Sequence, residues 1–414
     1  MQNKIYNLAL KCCFFLMLYL STDSVELFKT GGATAEGQVV TVAYSGPLNF
    51  TSMIWAFFAF FCVVLYVGAR IKNRQSIIKG NDKWMVLLLV YIFVSLFWSK
   101  DRIASAKLLL AIPLIFAFVR VYFLKFSRIV ILQELTNFFV VVSLTSIAFS
   151  LFIPSYGVSI GIHEGDWQGI FTHKNGLGNF SVLGTCIFIS MIGRGMGWKP
   201  LIGLGLSIFL TFMSSSTTAL ICLILVLTVY LFLKSKKIRA VIYQFRHPIY
   251  AGITLISVIP FLVSFAPPGL TIFDKDTTFT GRVFIWGFIL SMFFERPVFG
   301  YGLNQFDAFF NANSTFASNV GFQVGSTHSG FLDLAFSLGM VGVFLVLAFI
   351  KKIVPKKNNE LDLTISLLFF LSFVMVNSLE SLFLSFNIWF VLLLIIIEFV
   401  SQTTTKNNRP LQLH

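Results

Sequence analysis

Residues 328–350 read HSGFLDLAFSLGMVGVFLVLAFI, a run in which Asp333 is the one charged residue after His328. A helix needs about 20 apolar residues to cross the hydrocarbon of a bilayer, so this run predicts a membrane-spanning helix. Immediately before it, from Pro267 to Thr327, lies a polar island that carries Arg282, Arg296 and Asp307 and is closed by His328. Ionisable groups kept beside hydrophobic spans generally meet something charged or polar, which marks the island as the place to look for chemistry.

Working outward, similar apolar runs recur from end to end. About twelve are legible, near 7–22, 53–69, 83–99, 105–121, 135–153, 176–193, 200–214, 216–233, 249–266, 328–350, 361–379 and 382–400. Composition agrees with them. Hydrophobic residues make up 57% and charged residues 12% of the 414, with a mean hydropathy of +0.84, too apolar for a soluble globule of this length. The expected fold is all-α: a single transmembrane domain over residues 1–414 with about 12 spanning helices and the 267–327 loop inserted in it. No internal repeat and no Pro- or Ser-rich linker divides the chain.

Within the loop, Arg282 to Phe294 (RVFIWGFILSMFF) is too short to span and too apolar to float in water. It predicts a short amphipathic or re-entrant helix. Glu295-Arg296-Pro297 ends it, since proline cannot continue a helix, and Gly300-Tyr301-Gly302 supplies a turn.

A net charge of +14 would suggest nucleic acid for a soluble protein, but its distribution argues for a membrane. Lys and Arg cluster in alternate connections: Arg70, Lys72, Arg74, Lys79 and Lys83; Arg120, Lys125 and Arg128; Arg194 and Lys199; Lys234, Lys236, Lys237, Arg239 and Arg246; Lys351, Lys352, Lys356 and Lys357. The intervening connections carry Lys29, Lys100, Arg102, Lys107, Lys174, Lys275, Arg282 and Arg296. By the positive-inside rule the basic connections and both termini are cytoplasmic, and the 267–327 loop faces outward. The first run follows Met1-Gln2-Asn3-Lys4, but Tyr19-Leu20-Ser21-Thr22 is a poor cleavage site, so it is read as the first span. Cys12, Cys13, Cys62, Cys186 and Cys222 all fall within predicted spans and lack disulfide or zinc spacing, which reads as small apolar packing.

The chain has no Gly-x-x-x-x-Gly-Lys-Ser/Thr phosphate loop, and Gly300-Tyr301-Gly302 does not continue into a dinucleotide fingerprint. Neither a nucleotide nor any other cofactor is expected. Chemistry in an outer loop then needs a substrate activated in advance, and a lipid-linked diphosphate meets that need.

Here a resemblance enters. Thr280-Gly281-Arg282 with Trp286, then Arg296-Pro297-Val298-Phe299-Gly300-Tyr301-Gly302, then His328-Ser329-Gly330-Phe331-Leu332 with Gly339 and Gly342, resembles the signature of the O-antigen ligase and polysaccharide polymerase superfamily. A second block, Gly169-Ile170-Phe171-Thr172-His173-Lys174-Asn175-Gly176-Leu177-Gly178, is similar to one in exopolysaccharide polymerases of that superfamily. The pattern covers roughly residues 160–345. It implies an inverting, metal-independent glycosyl transfer at the periplasmic side of the bacterial inner membrane. The donor would be an undecaprenyl-diphosphate-linked glycan, and the acceptor a hydroxyl on a second glycan. Membrane lipids and a chain-length regulator would be further partners.

The residues accommodate these roles. Negative charge grows on the diphosphate as C1 departs, and a guanidinium holds two oxygens at once, so Arg282 is the first candidate. The alternative for Arg282 is an interfacial arginine that binds any lipid headgroup. His328, where loop meets span, suits a general base or a group binding the acceptor hydroxyl; a structural histidine at a helix start is the alternative. Arg296 is expected to bind substrate, and Asp333 either to orient polar partners or to pack between helices. His173 and Lys174 are expected to contact sugar or phosphate, with Asn175 capping the helix that follows. His163, Glu164, Asp166 and Trp167 could bind sugar through carboxylates and an aromatic face, but read first as a solvated loop.

Two other chemistries compete. Asp274-Lys275-Asp276 has acidic spacing used by metal-dependent transferases, to which His163, Glu164 and Asp166 could add ligands, yet a lone Asp-x-Asp arises readily by chance and no metal is expected. A flippase or transporter should hold ionisable groups in mid-span; Asp333 and Glu380 are the main examples here. Gly203-Leu204-Gly205 and Gly193-Arg194-Gly195 read as close helix packing or turns. Within the superfamily a polymerase joins chains to lipid-linked repeats and a ligase moves them to lipid A-core; the 169–178 block tilts the reading to polymerase.

Overall fold

In the computed structural model, the described residues are 2–22, 50–72, 82–194, 196–259, 262, 271–272, 275–276, 282–310 and 326–402. Lys29, Arg74, Lys79, Gly195, Pro267, Asp274, Thr280 and Gly281 lie outside them.

Every apolar run contains a helix. The longer ones are α1 (Gln2–Leu20), α2 (Phe50–Lys72), α3 (Lys83–Ser95), α4 (Arg102–Lys125), α5 (Arg128–Phe152), α6 (Lys174–Met191), α7 (Lys199–Met213), α8 (Thr217–Lys234), α9 (Lys236–Gln244), α10 (Arg246–Leu255), α11 (Arg282–Glu295), α12 (Gly330–Ile350), α13 (Glu360–Asn377) and α14 (Ile388–Gln402). Among the described residues five helices are long and apolar enough to cross a membrane: α4, α5, α8, α12 with its 3-10 extension to Ile353, and α13. The chain is a multi-pass membrane protein. The all-α expectation is met apart from one pair of two-residue antiparallel strands, Thr271–Ile272 against Lys275–Asp276.

Burial sorts the helices as a bilayer requires. α13 and α14 are buried on nearly every face and form the centre, whereas α2 and α8 leave Phe57, Phe60, Leu231 and Phe232 exposed, apolar surface fit to meet lipid. Such helices associate by close packing and polar contacts, because lipid tails are as apolar as Leu. α6 against α7 shows this: a Cβ on Gly203 would stand 2.4 Å from the Phe188 ring, as the close-packing expectation requires. Gly205 faces open space, and Gly193, at φ +74°, serves the turn after α6.

The two ends of the bundle differ in charge. At one end Arg120 pairs with Asp82 through both its terminal nitrogens, with Glu398 at 3.5 Å, and Lys352 stands 3.5 Å from Asp82. Arg128 pairs with Asp362, and Arg194 and Arg239 reach Glu360 at 3.7 and 3.0 Å. The basic connections from Arg120 to Lys352 therefore converge on one end.

α11 lies along the first half of α12. The Trp286 indole N–H donates to the Thr327 carbonyl at 3.2 Å, just before α12 begins, while the Met340 N–H donates to the Pro297 carbonyl at 2.9 Å, near its middle. At that level α12 kinks at Gly339 (φ +59°, ψ −168°), and the 297–302 turn docks into the kink through Tyr301 N–H to Phe336 O and Gly302 N–H to Ser337 O. Both glycines at the contact are required. A Cβ on Gly300 would meet three backbone atoms of α12 at 2.6 Å, and one on Gly339 would lie 2.3 Å from the Val298 carbonyl oxygen. Gly300-Tyr301-Gly302 is thus the turn expected. α11 itself carries no polar stripe: Ser291 is its one polar residue between Val283 and Phe294, Ile285 and Ile289 are buried, and Phe284 and Phe294 are exposed. Of the two forms expected for it, the amphipathic one does not match this surface.

Candidate functional site

At the end of the bundle opposite the basic connections, three segments are stitched together: the start of α11, residues 326–330 ahead of α12, and the 378–387 connection between α13 and α14. The Gly330 N–H donates to the Glu380 carbonyl at 2.9 Å, and the Thr327 and Ser381 hydroxyls bond to each other. Arg282 Nη1 donates to the Leu379 carbonyl at 3.0 Å. These ties bring three ionisable side chains from distant parts of the sequence to one place.

The Glu380 carboxylate lies between the other two. Its Oε1 is 3.6 Å from Arg282 Nη2 and its Oε2 is 3.8 Å from His328 Nδ1. All three are partly withdrawn from solvent, with side chains 17%, 25% and 30% exposed for Arg282, Glu380 and His328. His328 adopts φ +49°, a left-handed conformation uncommon for a residue with a Cβ and one that concentrates at functional positions. Burial pushes the Glu380 carboxyl up, but His328, Arg282 and the more distant His173 outweigh it and hold the group below the ordinary carboxylate range. Glu380 is therefore ionised at neutral pH.

A second cluster forms ahead of α6. Lys174 Nζ donates to Asp166 Oδ2 at 2.8 Å, and His163 Nδ1 is 3.9 Å from the same oxygen. Burial raises the Asp166 carboxyl, and bonds from Lys174 and Ser215 pull it below its usual value. His163 and His173 meet edge to face with centroids 6.1 Å apart. The α6 cap differs from expectation: His173, not Asn175, is the N-cap, its Nδ1 accepting from the Asn175 N–H at 3.2 Å. That bond leaves the Nε2 edge of the ring for other polar contacts. Asp166 belongs to a paired cluster rather than a solvated loop, and it offsets much of the positive charge expected of Lys174. Because His173 acts on Glu380, the two clusters share one electrostatic environment.

Two expected residues stand apart. Arg296 follows the far end of α11, 14 residues from its start, which puts it about 20 Å from Arg282. There its guanidinium lies 4.9 Å over the Tyr301 ring. Asp333 sits in the first turn of α12, half-buried, its N–H donating to Ser329 O. Glu380 is the residue that sequence reasoning left without a role at this site. The available signal is its place in SLESLFLSFN (378–387), a polar break that strict alternation of spans puts on the same side as His328. Among the described residues no group of three or more His, Cys, Asp or Glu is arranged to hold a metal ion.

Chemically, the site offers a guanidinium fork for an anion, an imidazole that can accept a proton, and a carboxylate that touches both. Comparison with known proteins bears on the substrate. Residues 202–347, from α7 through most of α12, match the family described as O-Antigen ligase. Over 166 residues the chain is 30% identical to the ComP-specific O-oligosaccharyltransferase of Acinetobacter baylyi. That alignment covers 38% of this chain and 29% of the relative, so the chain spans under a third of that protein's length. The family match takes in Arg282, Arg296, His328 and Asp333; His173, Lys174 and Glu380 fall outside it.

Proposed function

We propose that this chain, whose residues 202–347 match the family described as O-Antigen ligase, is a member of that superfamily and a membrane glycosyltransferase acting on a lipid-linked glycan. The donor is an undecaprenyl-diphosphate-linked glycan and the acceptor a glycan hydroxyl. One observation carries the reading: Arg282 and His328 meet across Glu380 at the end of the bundle away from the basic connections. With about twelve spans read from the sequence in a bacterial inner membrane, that separation of ends supports an orientation with the basic end cytoplasmic and the 267–327 loop periplasmic.

In the proposed mechanism the acceptor oxygen attacks C1 of the donor sugar from the face opposite the diphosphate, which inverts the anomeric centre. His328 takes the hydroxyl proton. The C1–O bond to diphosphate breaks, and the leaving group departs with the electron pair, its growing charge held by the Arg282 fork. His173 and Lys174 line the approach to the sugar or phosphate. Asp333, on the first turn of α12, helps to orient polar partners in this proposal, and no metal is required.

The 169–178 block favours a polymerase, whose acceptor is a second lipid-linked repeat. The family match favours a second reading, a ligase that transfers the finished chain to lipid A-core, and the relative is likewise named a transferase rather than a polymerase. Deletion separates them. Loss of all chains beyond one repeat unit supports the polymerase, whereas long chains persisting on undecaprenyl diphosphate support the ligase. Transfer from purified lipid-linked donor tests both: wild-type turnover by Arg282→Ala and His328→Ala would overturn the site assignment.

A further inference from the structure

We propose that Glu380 is a shared positioning carboxylate, held between Arg282 and His328 in the empty site and released to His328 when a diphosphate occupies Arg282, so that the base is strengthened only once the donor is bound. The inference rests on the roles of Arg282 and His328 proposed above and adds a residue and an order of events to them.

The geometry is that of a group between two claims. At 3.6 Å from Arg282 and 3.8 Å from His328, the carboxylate is beyond hydrogen-bond length of both. His328 Nδ1 is buried and has no hydrogen-bond partner among the described residues. An unsatisfied buried donor or acceptor is costly, and the ionised carboxylate facing this one is the partner that would satisfy it. The backbone of Glu380 is fixed by the Gly330 N–H, two residues beyond His328, so closing the gap takes a side-chain rotation of about 1 Å and no movement of the chain.

A bound diphosphate supplies the push. It brings anionic oxygens to Arg282, where they compete with Glu380 for the guanidinium and repel it. The displaced carboxylate accepts the Nδ1–H of His328, fixing the tautomer that leaves the Nε2 lone pair for the acceptor proton and stabilising the imidazolium that forms. Among the described residues, the other ionisable groups on the neighbouring elements are His173 and the Lys174–Asp166 pair near the start of α6, and Asp333 on the first turn of α12. Lys174 is engaged by Asp166, and His173 acts on Glu380 in both states, so neither reproduces the exchange between Arg282 and His328.

The test uses the full-length protein in nanodiscs and two readouts. In transfer from an undecaprenyl-diphosphate-linked glycan, Glu380→Gln should lower kcat about 100-fold, the scale of general-base assistance, with KM changed much less. Titration of His328 by nitrogen-15 NMR, with and without undecaprenyl diphosphate, gives a readout that a merely structural residue would not move. In the wild type, the lipid diphosphate should raise the His328 pKa. In Glu380→Gln the rise should shrink to what the phosphate's own charge produces, and Glu380→Asp, which keeps a shorter carboxylate, should restore part of it. Equal rises in wild type and Glu380→Gln, or wild-type turnover by Glu380→Gln, would overturn the proposal. If Arg282→Ala and His328→Ala abolish transfer while Glu380→Gln behaves as wild type, this inference alone fails. If Arg282→Ala and His328→Ala are fully active, the reading beneath it fails.

Discussion

Replacing Arg282 by alanine removes the guanidinium that faces both Glu380 and the proposed path of the leaving group. A guanidinium bound to two diphosphate oxygens makes two charge-assisted hydrogen bonds, each contributing about 1.5–3 kcal/mol. Their loss should raise the barrier by about 3–6 kcal/mol, or lower kcat/KM roughly 10²- to 10⁴-fold. The folded state loses far less. The bond from Nη1 to the Leu379 carbonyl, 3.0 Å long, is worth about 1 kcal/mol. Leu379 neighbours a connection still held by the Gly330–Glu380 backbone bond and the Thr327–Ser381 pair, so the site should stay assembled. Arg282→Lys separates charge from geometry, since lysine keeps the cation but not the planar fork, and an intermediate loss of about 10-fold is expected. The assay is turnover of purified lipid-linked donor, with thermal unfolding in detergent as the control. Wild-type kcat/KM in Arg282→Ala, with an unchanged melting profile, would refute the assignment of Arg282 to the leaving diphosphate.

Other consequences can be checked separately. Glu380 and Asp166 both have folded pKa values below their unfolded ones, so the stability they contribute is fully present above the ordinary carboxylate pKa of about 4 and is lost as pH falls through the lower folded values. Tm should hold steady from neutral pH down to about 5 and then drop, and Glu380→Gln with Asp166→Asn should flatten that drop. Gly339→Ala forces a Cβ to within 2.3 Å of the Val298 carbonyl at φ +59° and should cost roughly 2–4 kcal/mol in denaturation, with the 297–302 turn displaced. Arg296→Ala, about 20 Å from Arg282, should change donor turnover less than about threefold; a loss comparable to that of Arg282→Ala would mean that the two arginines act together. For orientation, an impermeant maleimide applied to intact spheroplasts should label cysteine at Glu164→Cys and not at Lys357→Cys, and the reverse pattern would invert the proposed topology.

Legibility in the sequence followed the range of the forces involved. Helices were readable because each apolar run specifies itself locally, with no partner needed to make a stretch of Phe, Leu and Val adopt a helix in lipid. Gly300-Tyr301-Gly302 was readable as a turn for the same reason, although its docking against Gly339 depends on a contact between separate segments. The N-cap of α6 went to His173 rather than Asn175 because the helix begins two residues earlier than the residue-type preference suggests, and an imidazole Nδ1 can accept a backbone N–H of the first turn as an Asn side chain does. Arg296 looked like a site residue from its neighbours in sequence. α11 then carries it away along the first half of α12, and sequence proximity to Arg282 becomes distance along a helix.

Glu380 shows most clearly what a single sequence withholds. It lies 52 positions from His328 and 98 from Arg282 by residue number, in a connection with no motif of its own. Its partners become visible only when the Gly330 N–H, the Leu379 carbonyl and the Thr327–Ser381 hydroxyl pair pin three segments together. The same ties explain why a carboxylate is tolerable there. An uncompensated charge at the head of a membrane bundle would be neutralised by protonation, whereas one flanked by a guanidinium and an imidazole stays ionised. A site built to receive a diphosphate must hold positive charge when empty, and positive charge beside apolar helices needs a counter-ion until the substrate arrives. Glu380 meets that need at 3.6 Å from Arg282, and at 3.8 Å from His328 it stands where a carboxylate displaced from the arginine can turn to the proposed base.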